Sequence, residues 1–290
     1  MKILITGGSG LLGQYLNVVL TKNHNILTLL NNNLGNCSNF KSQKIDLLDN
    51  KKLNSIFNDY RPDVVIHTAA ISQPILPEKI SPKDIYDINV IVTKNIAQLC
   101  DKFKTKLIYT STDLVYAGYR GSMLKENAKL IPASLYAETK LMGEIKIQKT
   151  LDNYLILRTA LLFGFGLNHS KNHFHQMFIN LKQGKQTKLF TDQYRTPISL
   201  LESARIINEL ISIDIKSEII NFGGTERVSR YEIGEILCEI TKFDKNLLTK
   251  ITMDDVPNLA KVEDVSLDTT KLHSFGIKQK SIEEMIVEIL

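Results

Sequence analysis

Over the first 160 residues, short runs of apolar and β-branched residues alternate with stretches whose apolar positions recur every three to four residues. Lys2 to Thr6 (KILIT), Asn25 to Leu30 and Asp63 to His67 (DVVIH) read as buried strands, and Ser42 to Asp46 as a shorter one. Lys106 to Thr110 (KLIYT) and Tyr154 to Arg158 read as two more. Leu11 to Lys22 reads as a helix with Leu12, Leu16, Val19 and Leu20 on one face. Lys51 to Asp59 reads as a second helix, stopped by Pro62, with Asp84 to Phe103 a long third and Ala133 to Leu151 a fourth. Strands and helices alternating in this way predict an α/β fold of the Rossmann type, a doubly wound parallel sheet with helices on both faces.

Beyond Gly164 the alternation loosens. Helices are expected from Phe174 to Gln183, Ser199 to Ile211, Ser229 to Ile240 and Ser281 to Ile289, with one strand from Glu218 to Phe222. Ser229 with Glu232, and Ser281 with Glu284, have the spacing of a capping box. No internal repeat or low-complexity linker interrupts the chain. The pattern divides it into a dinucleotide-binding domain over residues 1–160 and a smaller α/β substrate lobe over residues 161–290, partly interleaved with the sheet.

Thr6 to Gly13 reads TGGSGLLG, directly after the first strand and at the start of the first helix. In that setting Gly7, Gly10 and Gly13 suit a tight turn, close backbone approach to a pyrophosphate, and close helix-strand packing. Ser9, Leu11 and Leu12 of the same turn are expected to touch the cofactor. An acidic residue about 20 residues on usually grips the ribose of NAD. Here the second strand ends in Asn31, with no carboxylate to repel a 2′-phosphate, and Lys41 and Lys44 follow. The expectation is a nicotinamide cofactor, NADP(H) slightly favoured over NAD(H).

Tyr136 and Lys140 lie four apart in YAETK, on one face of the fourth helix. A nearby ammonium favours tyrosinate and would lower the tyrosine pKa, fitting Tyr136 for proton exchange with a carbonyl or alcohol oxygen. Thr110 to Tyr116 (TSTDLVY) follows a strand, where hydroxyls point into the ligand crevice. Thr112 is placed to hydrogen-bond the reacting oxygen, and Asp113 beside it is either a second polar contact or a turn cap.

Composition adds limits. The 290 residues are 43% hydrophobic and 23% charged, as in a packed globular protein. No apolar run reaches the ~18 residues of a membrane span, and no signal peptide is evident, so the expected location is cytoplasmic. Cys37, Cys100 and Cys238 are too scattered for a disulfide framework. The net charge of +5 comes from lysines spread along the chain, a solvated coat rather than a nucleic-acid surface, and it suits an anionic substrate. His169, His173 and His175 have spacings admissible for zinc, but no cysteine or carboxylate cluster accompanies them, so a polar loop is the reading.

The sequence resembles the extended short-chain dehydrogenase/reductase family, and within it the dTDP-4-dehydrorhamnose reductases. TGGSGLLG, RPDVVIHTAA (Arg61 to Ala70), Asn89, STDLVYAG (Ser111 to Gly118), YAETKLMGE (Tyr136 to Glu144) and LRTALLFG (Leu157 to Gly164) carry the resemblance. DQYRTPIS (Asp192 to Ser199), NFGGTERVSRYEIGEIL (Asn221 to Leu237) and DVSLDTTKL (Asp264 to Leu272) extend it. It implies that Thr112, Tyr136 and Lys140 form a catalytic trio: Tyr136 protonates a C4 oxygen, Lys140 holds the nicotinamide ribose, and Thr112 orients the carbonyl. It also implies adenine-side contacts at Asp46 and Leu47, cofactor contacts at Ala69, Ala70 and Thr110, and substrate contacts at Thr112, Asp113 and Tyr136. The partner would be a nucleotide-linked sugar, without nucleic acid or membrane, and a homodimer is compatible. Two positions depart from the reductase pattern: Leu161 replaces a tryptophan, and Leu259 to Glu263 (LAKVE) lacks an Arg-Pro. The shared motifs leave two other functions open. One is a nucleotide-sugar epimerase or dehydratase, and the other a cofactor-binding subunit like the regulatory subunit of methionine adenosyltransferase.

Overall fold

The structure, a computed structural model, describes residues 1–72, 80–168, 171–257 and 261–290. His169, Leu259 and Ala260, singled out above, lie outside these residues.

Six strands and five helices come first. They are β1 (Lys2–Thr6), α1 (Leu11–Leu20), β2 (Asn25–Leu30), β3 (Ser42–Lys44), α2 (Asn50–Tyr60), β4 (Val64–His67), α3 (Pro82–Tyr86), α4 (Thr93–Phe103), β5 (Lys106–Thr110), α5 (Leu135–Gln148) and β6 (Tyr154–Thr159). The strands order themselves 6-5-4-1-2-3, all parallel. Thr6 of β1 pairs with His67 of β4, and Thr110 of β5 with Leu157 of β6, so the C-terminal strand ends are level and open onto one crevice.

Alternation along each strand feeds two cores. Ile3, Ile5, Ile66, Ile108 and Leu155 face α1, whereas Leu4, Val65, Leu107, Tyr109 and Ile156 face α2 and α4. Each such side chain is worth about 1.5–3 kcal/mol when fully buried.

The long third helix expected from the sequence is not uniform. A π-helical turn over Asp87–Val92 separates α3 from α4. It aims the Asn89 amide sideways: Asn89 Oδ1 accepts from Ile71 N at 2.9 Å, and Nδ2 donates to Thr139 Oγ1 at 3.0 Å. The wide turn therefore ties the loop after β4 to α5.

The rest of the chain contains β7 (Leu162–Phe163), α6 (His173–Lys182), β8 (Thr187–Phe190), β9 (Tyr194–Arg195), β10 (Ile198–Ser199), α7 (Leu200–Ser212) and β11 (Glu218–Phe222). It continues with β12 (Val228–Ser229), α8 (Arg230–Thr241), β13 (Leu248–Ile251), α9 (Thr270–Ser274) and α10 (Ile282–Ile289). β11 pairs parallel with β6 and completes a seven-stranded sheet. β7 with β10, β9 with β12 and β8 with β13 form separate two-stranded pairs. Both expected capping boxes form, at Ser229 with Glu232 and at Ser281 with Glu284. Among the described residues no helix is long and apolar enough to cross a membrane.

Candidate active site

The turn after β1 leaves no room for a side chain at Gly7, Gly8 or Gly13. Gly7 takes φ +71°, and a Cβ there would lie 2.7 Å from Ala69 N. A Cβ on Gly13 would lie 2.2 Å from Gly7 O, so α1 packs against the turn only because the position is glycine. Asn17, buried on α1, donates from Nδ2 to Gly8 O at 3.0 Å and braces the turn from below. Gly10 caps α1 without a side-chain hydrogen bond, and no acidic residue stands in the first turn. The helix therefore presents free N–H groups and its positive end to an incoming phosphate.

Two cavities meet at this turn, sharing Gly10, Thr68 and Ala70. The first, about 380 Å³, is lined by Gly7, Ser9, Asn31, Asn32, Asp46, Leu47, Ala69 and neighbouring apolar residues, and holds the residues expected on the adenosine side. Among its described lining residues Asp46 is the single charged one. Lys41, which follows Asn31 in the sequence, lies with Nζ 5.5 Å from the centre of the Tyr60 ring. The second cavity, about 420 Å³, is lined by Leu11, Leu12, Gly13, Thr110, Thr112, Asp113, Tyr136 and Lys140. Every site residue expected from the sequence thus lines one of the two. The glycine turn, with no Cβ to fill it, fits a dinucleotide lying across both.

Local structure fixes the reacting groups. Ser134 caps α5 through Ala137 N, setting Tyr136 and Lys140 one turn apart on the cavity side. Burial pushes the Tyr136 phenol up to about 12, with the Asp113 charge adding to it and the Thr112 hydroxyl opposing it. Burial pulls the Lys140 ammonium down to about 7, against the pull of Glu144. The expected lowering of Tyr136 by Lys140 is therefore absent in the ligand-free protein: both groups are buried, and each is driven toward its neutral form. The Asp113 carboxyl is also raised by burial, with Arg195 and the Thr112 hydroxyl opposing.

Beneath the trio lies a polar network that sequence inspection missed. Arg158 Nη2 donates to Glu144 Oε2 at 2.9 Å, with both side chains almost fully buried. Ser111 Oγ donates to Glu144 Oε1 at 2.5 Å. Arg158 Nη1 also donates to Tyr116 OH at 2.9 Å, and Tyr116 OH donates to Asn221 Oδ1 at 2.7 Å. The network joins the loop after β5 to α5, β6 and β11.

Thr68, Ser72, Ser111, Leu114, Thr159, Ala160, Leu161 and Leu162 line the catalytic cavity as well. The rule that strand ends face the crevice, applied to β4 and β6 as it was to β5, would have found Thr68 and Thr159. Nothing local marks Arg195, whose Nε reaches 3.5 Å from Asp113 Oδ2 across 82 positions of sequence. His173 opens α6 and is held near 4 by burial and by Arg230, and the ring of His175 accepts from Gly166 N at 3.2 Å. Among the described residues no three His, Cys, Asp or Glu side chains group as metal ligands.

Sheet order, glycine turn and Tyr-Lys helix together are those of the extended short-chain dehydrogenase/reductase fold. The chain belongs to the RmlD substrate binding domain family, whose model matches residues 1–290. It is 26% identical to the β subunit of methionine adenosyltransferase 2 from Xenopus laevis, over 97% of this chain and 84% of that protein. It is 25% identical to a dTDP-4-dehydrorhamnose reductase from Aggregatibacter actinomycetemcomitans, over 99% of this chain and 98% of that one. The crystal structure of a dTDP-4-dehydrorhamnose reductase from Bacillus anthracis in complex with NADP shares the fold, with a TM-score of 0.83 at 22% identity. That match covers 99% of this chain and 98% of that one.

Proposed function

We propose that the protein reduces the 4-keto group of a nucleotide-linked sugar, using a nicotinamide dinucleotide. The observation that carries this reading is the convergence of Thr112, Tyr136 and Lys140 on one cavity that runs into the glycine turn. The bound dinucleotide would supply hydride to the carbonyl carbon. Tyr136 gives its phenolic proton to the carbonyl oxygen, so that ketone becomes alcohol. A phenol raised to about 12 is fully protonated at neutral pH, the form that reduction requires. Lys140 would hold the nicotinamide ribose, and Gly7, Ser9, Gly10, Leu11, Leu12 and Gly13 the pyrophosphate side. Asn31, Asp46, Leu47, Ala69, Ala70 and Thr110 would complete the cofactor contacts. With no carboxylate at position 31 to repel a 2′-phosphate, and no cation among the described residues lining this cavity to bind one, either nicotinamide cofactor would be accommodated, NADP(H) slightly favoured over NAD(H).

A second reading is a catalytically silent cofactor-binding subunit, favoured by the similarity to the methionine adenosyltransferase subunit. Nicotinamide absorbance, followed with NADPH and dTDP-4-keto-6-deoxy-L-mannose, separates the two. Turnover that disappears in Tyr136→Phe supports the reductase. Tight NADPH binding without turnover of this or another nucleotide-linked ketosugar overturns it. Interconversion without net NADPH oxidation would point to an epimerase.

A further inference from the structure

Lys140 is almost fully buried, and its Nζ lies 4.0 Å from the centre of the Tyr109 ring. The other titratable groups around it are His67 on β4, Asp113 after β5, Tyr136 and Glu144 on α5, and Arg158 on β6. Each already has partners. The His67 ring nitrogens lie 2.7 Å from Thr6 Oγ1 and 3.0 Å from Thr93 Oγ1. Glu144 Oε1 accepts from Ser111, and Oε2 accepts from Arg158. Asp113 faces Arg195, and Tyr136 is paired with the Thr112 hydroxyl. His67, held near 3 by burial and by the Lys140 charge, is neutral and offers the ammonium nothing further.

The face of the Tyr109 ring is what remains. Burial, with the Glu144 and Tyr136 charges adding to it, holds the Tyr109 phenol well above its ordinary value, against the Thr93 hydroxyl. The lysine therefore meets the negative face of a neutral ring and not a phenolate. The ring is also seated against α5. Tyr109 OH donates to Lys140 O at 3.4 Å, and a Cβ on Gly143 would lie 2.5 Å from that hydroxyl. Glycine at 143 thus leaves the gap that lets the phenol lie under the turn carrying Lys140.

We propose that Tyr109 is a positioning residue for Lys140, its ring face holding the ammonium charged and in place at the cavity wall until the nicotinamide ribose arrives. The inference rests on the reading that Lys140 holds that ribose, and deepens it. An aliphatic side chain would fill much of the same space but give up the attraction, so Lys140 would shed its proton at lower pH. The oxygens of a bound dinucleotide favour the ammonium, so binding takes up a proton wherever the free lysine is neutral. Affinity should therefore fall as pH rises beyond about 7.

The test is fluorescence titration of the full chain with NADH between about pH 5.5 and 8; NADH lacks the 2′-phosphate, a group that titrates in the same range. The wild-type affinity should fall as pH rises. Tyr109→Leu should match the wild type at the acid end and fall about 5-fold behind it near the alkaline end, the scale of a desolvated cation–π contact. Tyr109→Phe, which keeps the ring face, should follow the wild type throughout. Lys140→Met should flatten the dependence.

If Lys140→Met is flat but Tyr109→Leu runs parallel to the wild type, the ring is merely structural, and the inference fails while Lys140 keeps its role. If Tyr109→Phe weakens alkaline binding as much as Tyr109→Leu, the hydroxyl acts rather than the ring face, and the inference fails again. If Lys140→Met keeps the wild-type curve, Lys140 does not hold the ribose and both statements fall. Where Tyr109→Leu does not fold, Tyr109→pentafluorophenylalanine decides the matter. It keeps the shape of the ring but reverses the charge of its face, and it should lose the same alkaline affinity.

Discussion

The Lys140 ammonium lies 4.0 Å from the centre of the Tyr109 ring, on the buried side of the catalytic helix. The ring face offers electrostatic attraction but little of the hydration that the charge gave up. Burial consequently dominates, and Lys140 falls from 10.5 to about 7.

That shift makes stability depend on pH with a definite sign. Below pH about 7 both folded and unfolded chains hold the Lys140 proton, and the folded state bears the whole cost of the buried charge. Between about 7 and 10.5 the folded protein sheds a proton that the unfolded chain keeps, so this contribution to stability rises with pH. Lys140→Met should therefore stabilise the ligand-free protein most in mildly acidic buffer. The gain should shrink by at most about 1.4 kcal/mol per pH unit across the window. Urea unfolding of both proteins on either side of neutrality checks this, and a constant difference would contradict it.

Tyr136→Phe should lower kcat by about 10²-fold to 10⁴-fold, the range of a positioned proton donor. NADPH affinity should change little, because the ring stays and only the phenolic oxygen is lost. Steady-state kinetics paired with fluorescence titration of NADPH would distinguish lost chemistry from lost binding.

Cofactor preference should be adjustable at Asn31, at the mouth of the adenosine cavity. Asn31→Asp should raise the NADH-over-NADPH ratio of kcat/KM by about 10-fold, since a carboxylate grips the ribose hydroxyls and repels a 2′-phosphate. Asn31→Arg should move the ratio the other way. If neither substitution moves it, the ribose does not lie there.

Breaking the buried Glu144–Arg158 pair on one side should cost about 3–5 kcal/mol, because the remaining charge keeps its burial and loses its partner. Glu144→Gln and Arg158→Met should both show this in chemical denaturation. The double variant should recover part of the loss.

The parallel sheet was legible because β1, β2, β4, β5 and β6 are short buried runs, most of them followed by a helix signal. β2 and β5 follow the expected limits residue for residue. The glycine turn and the Tyr-Lys helix were legible for the same reason: each motif is local, and a single turn or helix face displays it. The π turn at Asn89 was not, since it depends on a contact with Ile71 that no local pattern announces. The two-residue strands β7, β9, β10 and β12 are too short to show a period of two. Likewise, the ionisation of Tyr136 could not be read from its spacing to Lys140, because spacing carries no information about how deeply both are buried.

β11 reaches its place beside β6 only after about sixty residues spent elsewhere, and Glu218 through Phe222 pair with Leu155 through Thr159 along the whole strand. A protein cut after residue 160 would leave β6 with a bare row of N–H and C=O groups, a template for pairing with other chains. The apolar side of α1 would also lose α7, which shares its core. The first half of the sheet is thus sealed by the chain that follows it. Proteolysis in the second half should therefore unravel the sheet from its β6 edge inward.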